Sequence, residues 1–99
     1  MANPDSGMAE TKKIEVAIAL MQAIVSALVD ESSTVSIQAV QANEATYLLV
    51  QVASEDVGKL IGKQGRTTRS LRVILSAVSM KLHHRFQLEI VEERKDGQV

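Results

Sequence analysis

The sequence predicts an α+β domain whose elements follow the order α-β-β-α-α-β. Two periodicities predict it: apolar residues recur at three- and four-residue steps near the N-terminus and after residue 66, and they alternate with polar residues in three other segments. The third observation is the glycine-rich string Val57–Arg66, which connects two predicted helices. Since 99 residues provide one hydrophobic core, we expect a single domain.

The N-terminal half predicts a helix and a β-hairpin. Residues 1–11 show no periodicity and predict a flexible tail. From Lys12 one helical face carries the apolar residues Ile14, Ala17, Ile18, Met21, Ile24, Val25 and Leu28. Alternation then predicts strands over Thr34–Ala42, with Val35, Ile37 and Ala39 inward, and over Tyr47–Ala53. Asn43 and Glu44 between them predict the turn of the hairpin.

The C-terminal half predicts two helices and a strand. Ser54, as an N-cap followed by two acids, predicts a short helix that ends at Gly62. A second helix spans Arg66–Leu82, with an apolar face formed by Leu71, Ile74, Leu75, Val78 and Leu82. Arg66, Arg69 and Arg72 fall on its opposite, solvent-facing side. Alternation over residues 86–91 predicts the last strand, so the domain spans 12–93 and residues 94–99 form a flexible tail.

The glycine-rich string predicts a clamp for a nucleic-acid backbone. Gly62 and Gly65 allow a ligand to approach the main chain closely because they carry no Cβ. The amides at the start of the next helix carry partial positive charge and suit a phosphate. Lys63 and Arg66 add full charges there. Moreover, residues 59–85 contain seven Lys/Arg and no Asp/Glu, whereas the rest of the chain has four Lys/Arg and twelve Asp/Glu.

Other function classes find little support. The chain has no cysteine, which excludes disulfides, thiolate metal sites and cysteine nucleophiles. The string does not match a nucleotide-binding P-loop. Val57 stands where the first glycine of that motif is required, and Gln64 follows Lys63 where the motif has Ser or Thr. The pair His83–His84 lacks partners at metal-ligand spacing and is predicted to cap the preceding helix. We therefore expect no enzyme activity, cofactor or metal, and without a signal peptide or membrane-spanning pattern we expect a cytoplasmic protein.

The string Leu60-Ile61-Gly62-Lys63-Gln64-Gly65-Arg66, with helices on either side, resembles the KH domain, a fold that binds RNA and single-stranded DNA. The element order resembles the type II arrangement, and the small stand-alone bacterial KH proteins of the KhpA-like family are most similar. This resemblance implies a three-stranded sheet with helices packed on one face. One departure is Thr67-Thr68, where the family has more apolar or alanine-rich residues.

The resemblance also implies a function and a site. The GKQG turn would hold the backbone of about four unpaired nucleotides, with Ile61 on the floor of an apolar groove and the loop near Asn43–Glu44 as its far lip. The implied role is RNA chaperone-like or post-transcriptional. The implied partners are single-stranded RNA, or single-stranded DNA, and either a second copy or a larger RNA-binding protein. The candidate RNA-binding residues are Lys59, Ile61, Gly62, Lys63, Gln64, Gly65, Arg66, Arg69 and Arg72.

Two hypotheses of different classes remain open. In the first, the chain is a non-catalytic RNA-binding module that acts through the clamp. In the second, the KH scaffold serves for dimerisation or protein interaction and has little RNA affinity of its own. Val73 and Met80 project from the polar side of the predicted helix Arg66–Leu82 and offer a contact surface for the second hypothesis.

Overall fold

The computed structural model describes residues 8–92. The elements in chain order are α1 (Met8–Leu28), β1 (Ser36–Gln41), β2 (Thr46–Val52), α2 (Val57–Ile61), α3 (Arg66–Leu82) and β3 (Phe86–Glu92). Short 3-10 turns precede β1, α2 and α3. The predicted α+β class and element order are thus confirmed. The tails predicted at residues 1–7 and 94–99 lie outside the described residues.

The three strands form one mixed sheet in the order β1-β2-β3. β1 and β2 are antiparallel, with Ala39 opposite Leu48, and the hairpin turn is closed by a 2.9 Å bond from the Ala42 N–H to the Ala45 carbonyl. β2 and β3 are parallel, with Leu48 opposite Leu88. Because a parallel pair needs a crossover, the chain between these strands returns across the sheet through α2 and α3.

The core lies between one face of the sheet and the helices. Alternate side chains of β2 are buried, which is the consequence of the two-residue strand period. They pack with inward residues of β3 and with the apolar faces of the helices; the buried residues of this cluster are Ala17, Met21, Val25, Val29, Leu48, Val50, Val52, Leu60, Leu71, Leu75, Phe86 and Leu88. The predicted inward residues Val35, Ile37 and Ala39 pack at its margin. The opposite face of the sheet is open.

Three local predictions were wrong. The first helix begins at Met8, four residues before Lys12, so residues 8–11 are helical rather than part of a tail. Ile74 is 40% exposed, because Leu71 and Leu75 occupy the centre of the buried stripe and Ile74 falls at its edge. Ser54 makes no N-cap bond: a 3-10 turn intervenes, α2 begins at Val57, and the Ser54 hydroxyl contacts Glu55 instead.

Asp56 fastens the start of α2 to the loop that follows α1. Its carboxylate is 1% exposed and accepts a 2.9 Å hydrogen bond from the Glu31 backbone N–H. The Lys59 ammonium lies 3.6 Å from Asp56 Oδ1 and 3.3 Å from Asp30 Oδ2. The Glu31 N–H, which favours the charged carboxylate more than burial disfavours it, lowers the pKa of Asp56 with help from Lys59. The hydrogen bond to Asp30 in turn raises the pKa of Lys59.

This pKa shift predicts a specific loss of stability in acid. A folded-state pKa below the unfolded value of about 3.9 means that the unfolded chain binds more protons in that range, so acid favours unfolding. We expect the free energy of unfolding to fall more steeply below about pH 4 in the parent than in Asp56→Asn, which has no charge to lose there. Circular-dichroism melts between neutral and acid pH measure both slopes. Equal slopes of unfolding free energy against pH in the two proteins would contradict a lowered pKa of Asp56.

Candidate nucleic-acid interface

The chain reverses between α2 and α3 through three residues with positive φ. Gly62 has φ 78° and ψ 169°, Gln64 has φ 58°, and Gly65 has φ 72° and ψ 17°. The combination at Gly62 is accessible essentially to glycine alone. The Gly62 N–H bonds the Gly58 carbonyl at 2.8 Å and the Gly65 N–H bonds the Gly62 carbonyl at 3.1 Å. The glycine spacing noted in the sequence is therefore a conformational requirement of this turn.

Thr67 and Thr68, in the first turn of α3, lie close to the end of α2 and to Gly62. A Cβ on Gly62 would lie 2.3 Å from Thr67 Oγ1 and 2.9 Å from the Thr67 backbone nitrogen. Thr68 is buried, and its hydroxyl donates a 3.3 Å hydrogen bond to the Leu60 carbonyl. In the sequence, Thr67-Thr68 stands out only as a departure from the pattern of the KhpA-like family. The signal that could have identified its role is the capacity of threonine hydroxyls to bond nearby backbone carbonyls.

The turn places a cluster of positive charge at the N-terminus of α3. α3 begins at Arg66 and has no side-chain N-cap; the Arg66 N–H itself bonds the Lys63 carbonyl of the preceding turn. The helix dipole adds partial positive charge at this end. Lys63, Gln64 and Arg66 are exposed beside it. The positive end of the helix dipole and two full positive charges therefore lie at one open site, an arrangement suited to a phosphate group.

The other predicted site residues differ in how available their side chains are to a ligand. Ile61 ends α2 next to the turn and is 40% exposed, and Arg69 is exposed on α3. Arg72 is also exposed, but its Nη2 donates a 3.1 Å hydrogen bond to the Leu88 carbonyl and is thereby anchored over β3. Lys59 is exposed on α2, but its ammonium is paired with Asp30 and Asp56.

The hairpin turn does not face the glycine turn as its far lip. Asn43 and Glu44 line a small cavity together with His83–Arg85, at the C-terminal end of α3. The glycine turn lies at the N-terminal end of the same 17-residue helix, roughly 25 Å away along its axis. The structure therefore does not place the Asn43–Glu44 loop beside the glycine turn.

The two histidines have different roles. His83 caps α3 in the left-handed conformation, with φ 55°, and its N–H bonds the Ser79 carbonyl. His84 instead contacts three other elements: its Nε2 lies 2.7 Å from Thr46 Oγ1, its Nδ1 pairs with Glu10, and its ring lies 4.7 Å from that of Phe86. Among residues 8–92, no group of His, Asp and Glu side chains is arranged to hold a metal ion, and no helix is long and apolar enough to cross a bilayer.

The chain is similar to known proteins over most of its length. A family model described as KhpA/KhpB, KH domain, matches residues 18–90. The RNA-binding protein KhpA of Treponema pallidum is 42% identical over 73 residues, covering 74% of this chain and 91% of the relative. The RNA-binding proteins KhpA of Borreliella burgdorferi and Chlamydia pneumoniae are each 39% identical, over 75 and 71 residues, covering 76% and 72% of this chain and 92% and 91% of those relatives.

The glycines of this region predict opposite effects of substitution by alanine. Gly58 lies within α2 with open space around its Cα, so Gly58→Ala is expected to stabilise the fold by about 0.5–1 kcal/mol. Gly62→Ala introduces both a disallowed backbone conformation and a clash with Thr67, and it is expected to cost about 3 kcal/mol or more. Urea unfolding of the two variants measures the difference. A Gly62→Ala protein as stable as the parent would show that the turn conformation is wrong.

Proposed function

The chain belongs to the family of KhpA/KhpB KH domains, and on that basis we propose that it is a non-catalytic module that binds single-stranded RNA through Gly62–Gly65. The relatives described above are named RNA-binding proteins. The observation that carries the proposal is the convergence of glycine backbone, helix N-terminus, Lys63 and Arg66 on one exposed site. No acidic residue occurs between Lys59 and Arg85 to oppose a phosphate.

The clamp acts on the RNA backbone rather than on base identity. Phosphate oxygens approach the turn closely because Gly62 and Gly65 carry no side chain. The partial positive charge at the N-terminus of α3 attracts them, and Lys63 and Arg66 neutralise their charge. Gln64 adds an amide that can bond phosphate or ribose oxygens. About four nucleotides are held in this way, and their bases lie toward Ile61 and Arg69.

Binding by a single domain is expected to be weak and strongly salt-dependent. Stacking on aromatic side chains contributes about 1–3 kcal/mol per base in other single-strand binders. Here Phe86 is buried in the core, and Tyr47 lies on the open face of the sheet, opposite the helices. Neither ring is beside the clamp. Transient, low-affinity contact of this kind suits an RNA chaperone-like or post-transcriptional role in the cytoplasm.

We expect Lys59 to contribute less to RNA binding than its position in the sequence implied. Its ammonium is held by Asp30 and Asp56, and both carboxylates compensate its charge. A phosphate would have to compete with these partners, whereas Lys63 and Arg66 have no ion-pair partner among residues 8–92. We therefore assign the principal electrostatic contacts to Lys63, Arg66 and Arg69.

The test is fluorescence polarisation of a labelled single-stranded RNA with the parent and with Lys63→Asp/Gln64→Asp. We expect the double variant to bind about tenfold more weakly or worse, because two groups that favour phosphate become carboxylates. We also expect the parent's affinity to fall with salt. The slope of log K against log salt concentration should shrink by about 0.7 for each phosphate that the variant no longer neutralises.

A matched control separates the clamp from net charge. Lys12→Asp/Gln38→Asp makes the same two residue changes at exposed positions of α1 and β1, away from α3. It should retain near-parental binding. If both double variants bind RNA equally well, the clamp is not the RNA site. Circular dichroism must show that each variant is folded.

A second function, self-association or docking to another protein, is favoured by one observation. Val73 and Met80 are 64% and 74% exposed, and their spacing of seven residues places them on the same side of α3. Apolar side chains of this exposure are common singly, but two together beside Ile74 form a contact surface.

Sedimentation equilibrium tests this second function. If this surface pairs two copies, the parent is expected to show a monomer–dimer equilibrium at micromolar concentration, and Val73→Glu is expected to weaken it at least tenfold because a carboxylate would be buried in the contact. Lys63→Asp/Gln64→Asp should leave the equilibrium unchanged. A parent protein that remains monomeric alone and with candidate partners would refute this function.

A further inference from the structure

The two outer edges of the sheet differ in how their backbone groups are occupied. At β3, the Leu88 carbonyl accepts a 3.1 Å hydrogen bond from Arg72 of α3. At β1, the Gln22 side-chain amide of α1 lies 3.5 Å from the Val35 carbonyl, one residue before the strand begins. Among residues 8–92, no side chain hydrogen-bonds the backbone of Ser36–Gln41 itself. We call the outer side of this strand the β1 edge.

The register of the hairpin identifies the backbone groups that point outward at the β1 edge. Along an antiparallel pair, residues that exchange backbone hydrogen bonds with the partner strand alternate with residues that do not. Since the Ala42 N–H bonds the Ala45 carbonyl, the bonding residues of β1 lie at even-numbered positions. The N–H and carbonyl groups of Ile37, Ala39 and Gln41 therefore point away from β2, where an additional strand would meet them.

The β1 edge lacks the features that commonly protect an edge strand from pairing. Such strands often carry lysine, proline or a bulge. Ser36–Gln41 contains no charged residue and no proline, and its pairing with β2 continues without a bulge. On the open face of the sheet, Val40 is 46% exposed and lies opposite Tyr47, which is 36% exposed. The edge thus presents free backbone groups beside an exposed apolar pair.

An acidic side chain of α1 lies beside the β1 edge. α1 runs antiparallel to β1, because Gln22 contacts Val35 while Glu10 lines a cavity with residues 41–46. Glu15 precedes Gln22 by seven residues, or about two helical turns, and therefore lies on the same side of α1. Two turns correspond to about 10 Å, roughly the length of three strand residues. The exposed Glu15 carboxylate is consequently placed near the middle of β1.

The surroundings of the β1 edge are acidic at both ends as well. Glu31 is exposed in the loop before the strand, and Glu44 is exposed in the hairpin turn after it. Residues 8–56 contain seven Asp/Glu and two lysines, of which Lys13 is paired with Glu10 at 3.5 Å. A second copy that paired its own β1 edge here would bring these acids together, and like charges at close range oppose association. A cationic strand has the complementary charge.

We propose that the β1 edge binds an extended cationic peptide of a partner protein, which adds a fourth strand to the sheet. Its backbone pairs with Ile37, Ala39 and Gln41. Side chains of the peptide opposite these residues lie on the helix-covered face, where lysine or arginine reaches Glu15. The alternate side chains lie on the open face and are apolar, since they contact Val40. This surface goes beyond the proposed RNA-binding function, because it lies at the other edge of the sheet from β3 and involves no residue of α3.

The first experiment is fluorescence polarisation of a labelled, end-capped peptide of about seven alternating lysines and valines, the length of one strand. The full-length parent should bind this peptide at low salt. Glu15→Lys should weaken binding about three- to tenfold, because a favourable charge pair becomes a repulsive one. Glu89→Lys makes the same change at an exposed position of β3, on the opposite edge strand, and should leave binding near the parental value.

Methylation of peptide backbone nitrogens separates strand pairing from simple charge attraction. The lysine residues of the probe carry the N–H groups that face β1, so methylation of those nitrogens should abolish measurable binding. Methylation of the valine nitrogens, which face away, should preserve it. On the protein side, Ala39→Pro removes an outward donor that the β1–β2 pairing does not use, and it should weaken binding about tenfold or more. Circular dichroism must show that each variant is folded.

Three results would overturn the proposal: no binding of the unmethylated peptide to the parent, equal effects of Glu15→Lys and Glu89→Lys, or equal effects of the two methylation patterns. A dimer of the parent that Ala39→Pro dissociates in sedimentation equilibrium would also overturn it, since a second copy would then occupy the edge. Lys63→Asp/Gln64→Asp and Val73→Glu should bind the peptide like the parent. Failure of the proposed RNA clamp would therefore leave this inference standing, and the reverse also holds.

Discussion

The parallel pairing of β2 with β3 constrains everything else in this domain. Two parallel neighbours cannot be joined by a tight turn, so the chain must cross from the end of one strand to the start of the next. Here the crossover is made by a five-residue helix and a 17-residue helix that share one layer. The chain must reverse between them within four residues, Gly62–Gly65. The two glycines that allow this reversal also leave the turn without side chains at Gly62 and Gly65, so the fold and the proposed clamp depend on the same turn.

The short helix α2 depends on its surroundings for stability. Five residues are far too few for an isolated helix in water, because fewer than about 12 residues do not offset the cost of nucleation. Buried polar contacts hold it at both ends: Asp56 bonds the Glu31 N–H at its start, and Thr68 bonds the Leu60 carbonyl near its end. Leu60 meanwhile inserts into the core. The glycine turn thereby follows a helix that is held in place by contacts near both of its ends.

Positive and negative charges are separated in this molecule although the net charge of the whole chain is close to zero. The cations of residues 59–85 lie mainly along α3 and its two ends, and the acids lie elsewhere. The ion pairs agree with this separation. Lys59, which is nearest to the acidic loop after α1, is neutralised by Asp30 and Asp56, whereas Arg66 and Arg69 remain available to solvent. A local field of this kind attracts a polyanion from a distance and is screened as ionic strength rises.

The sequence alone determined the elements, because hydrophobic periodicity is a local property: the three strands, the exposed arginines of α3 and the glycine turn all follow from residues close in the chain. The tertiary structure decided which distant groups meet. It paired Lys59 with Asp30, set Thr67 against Gly62, anchored Arg72 to Leu88, and placed the hairpin turn at the far end of α3. No local pattern encodes such contacts, since each depends on how the crossover packs on the sheet. The residue types of the candidate site are thus readable from the chain, but which of its cations remain unpaired is decided only by folding.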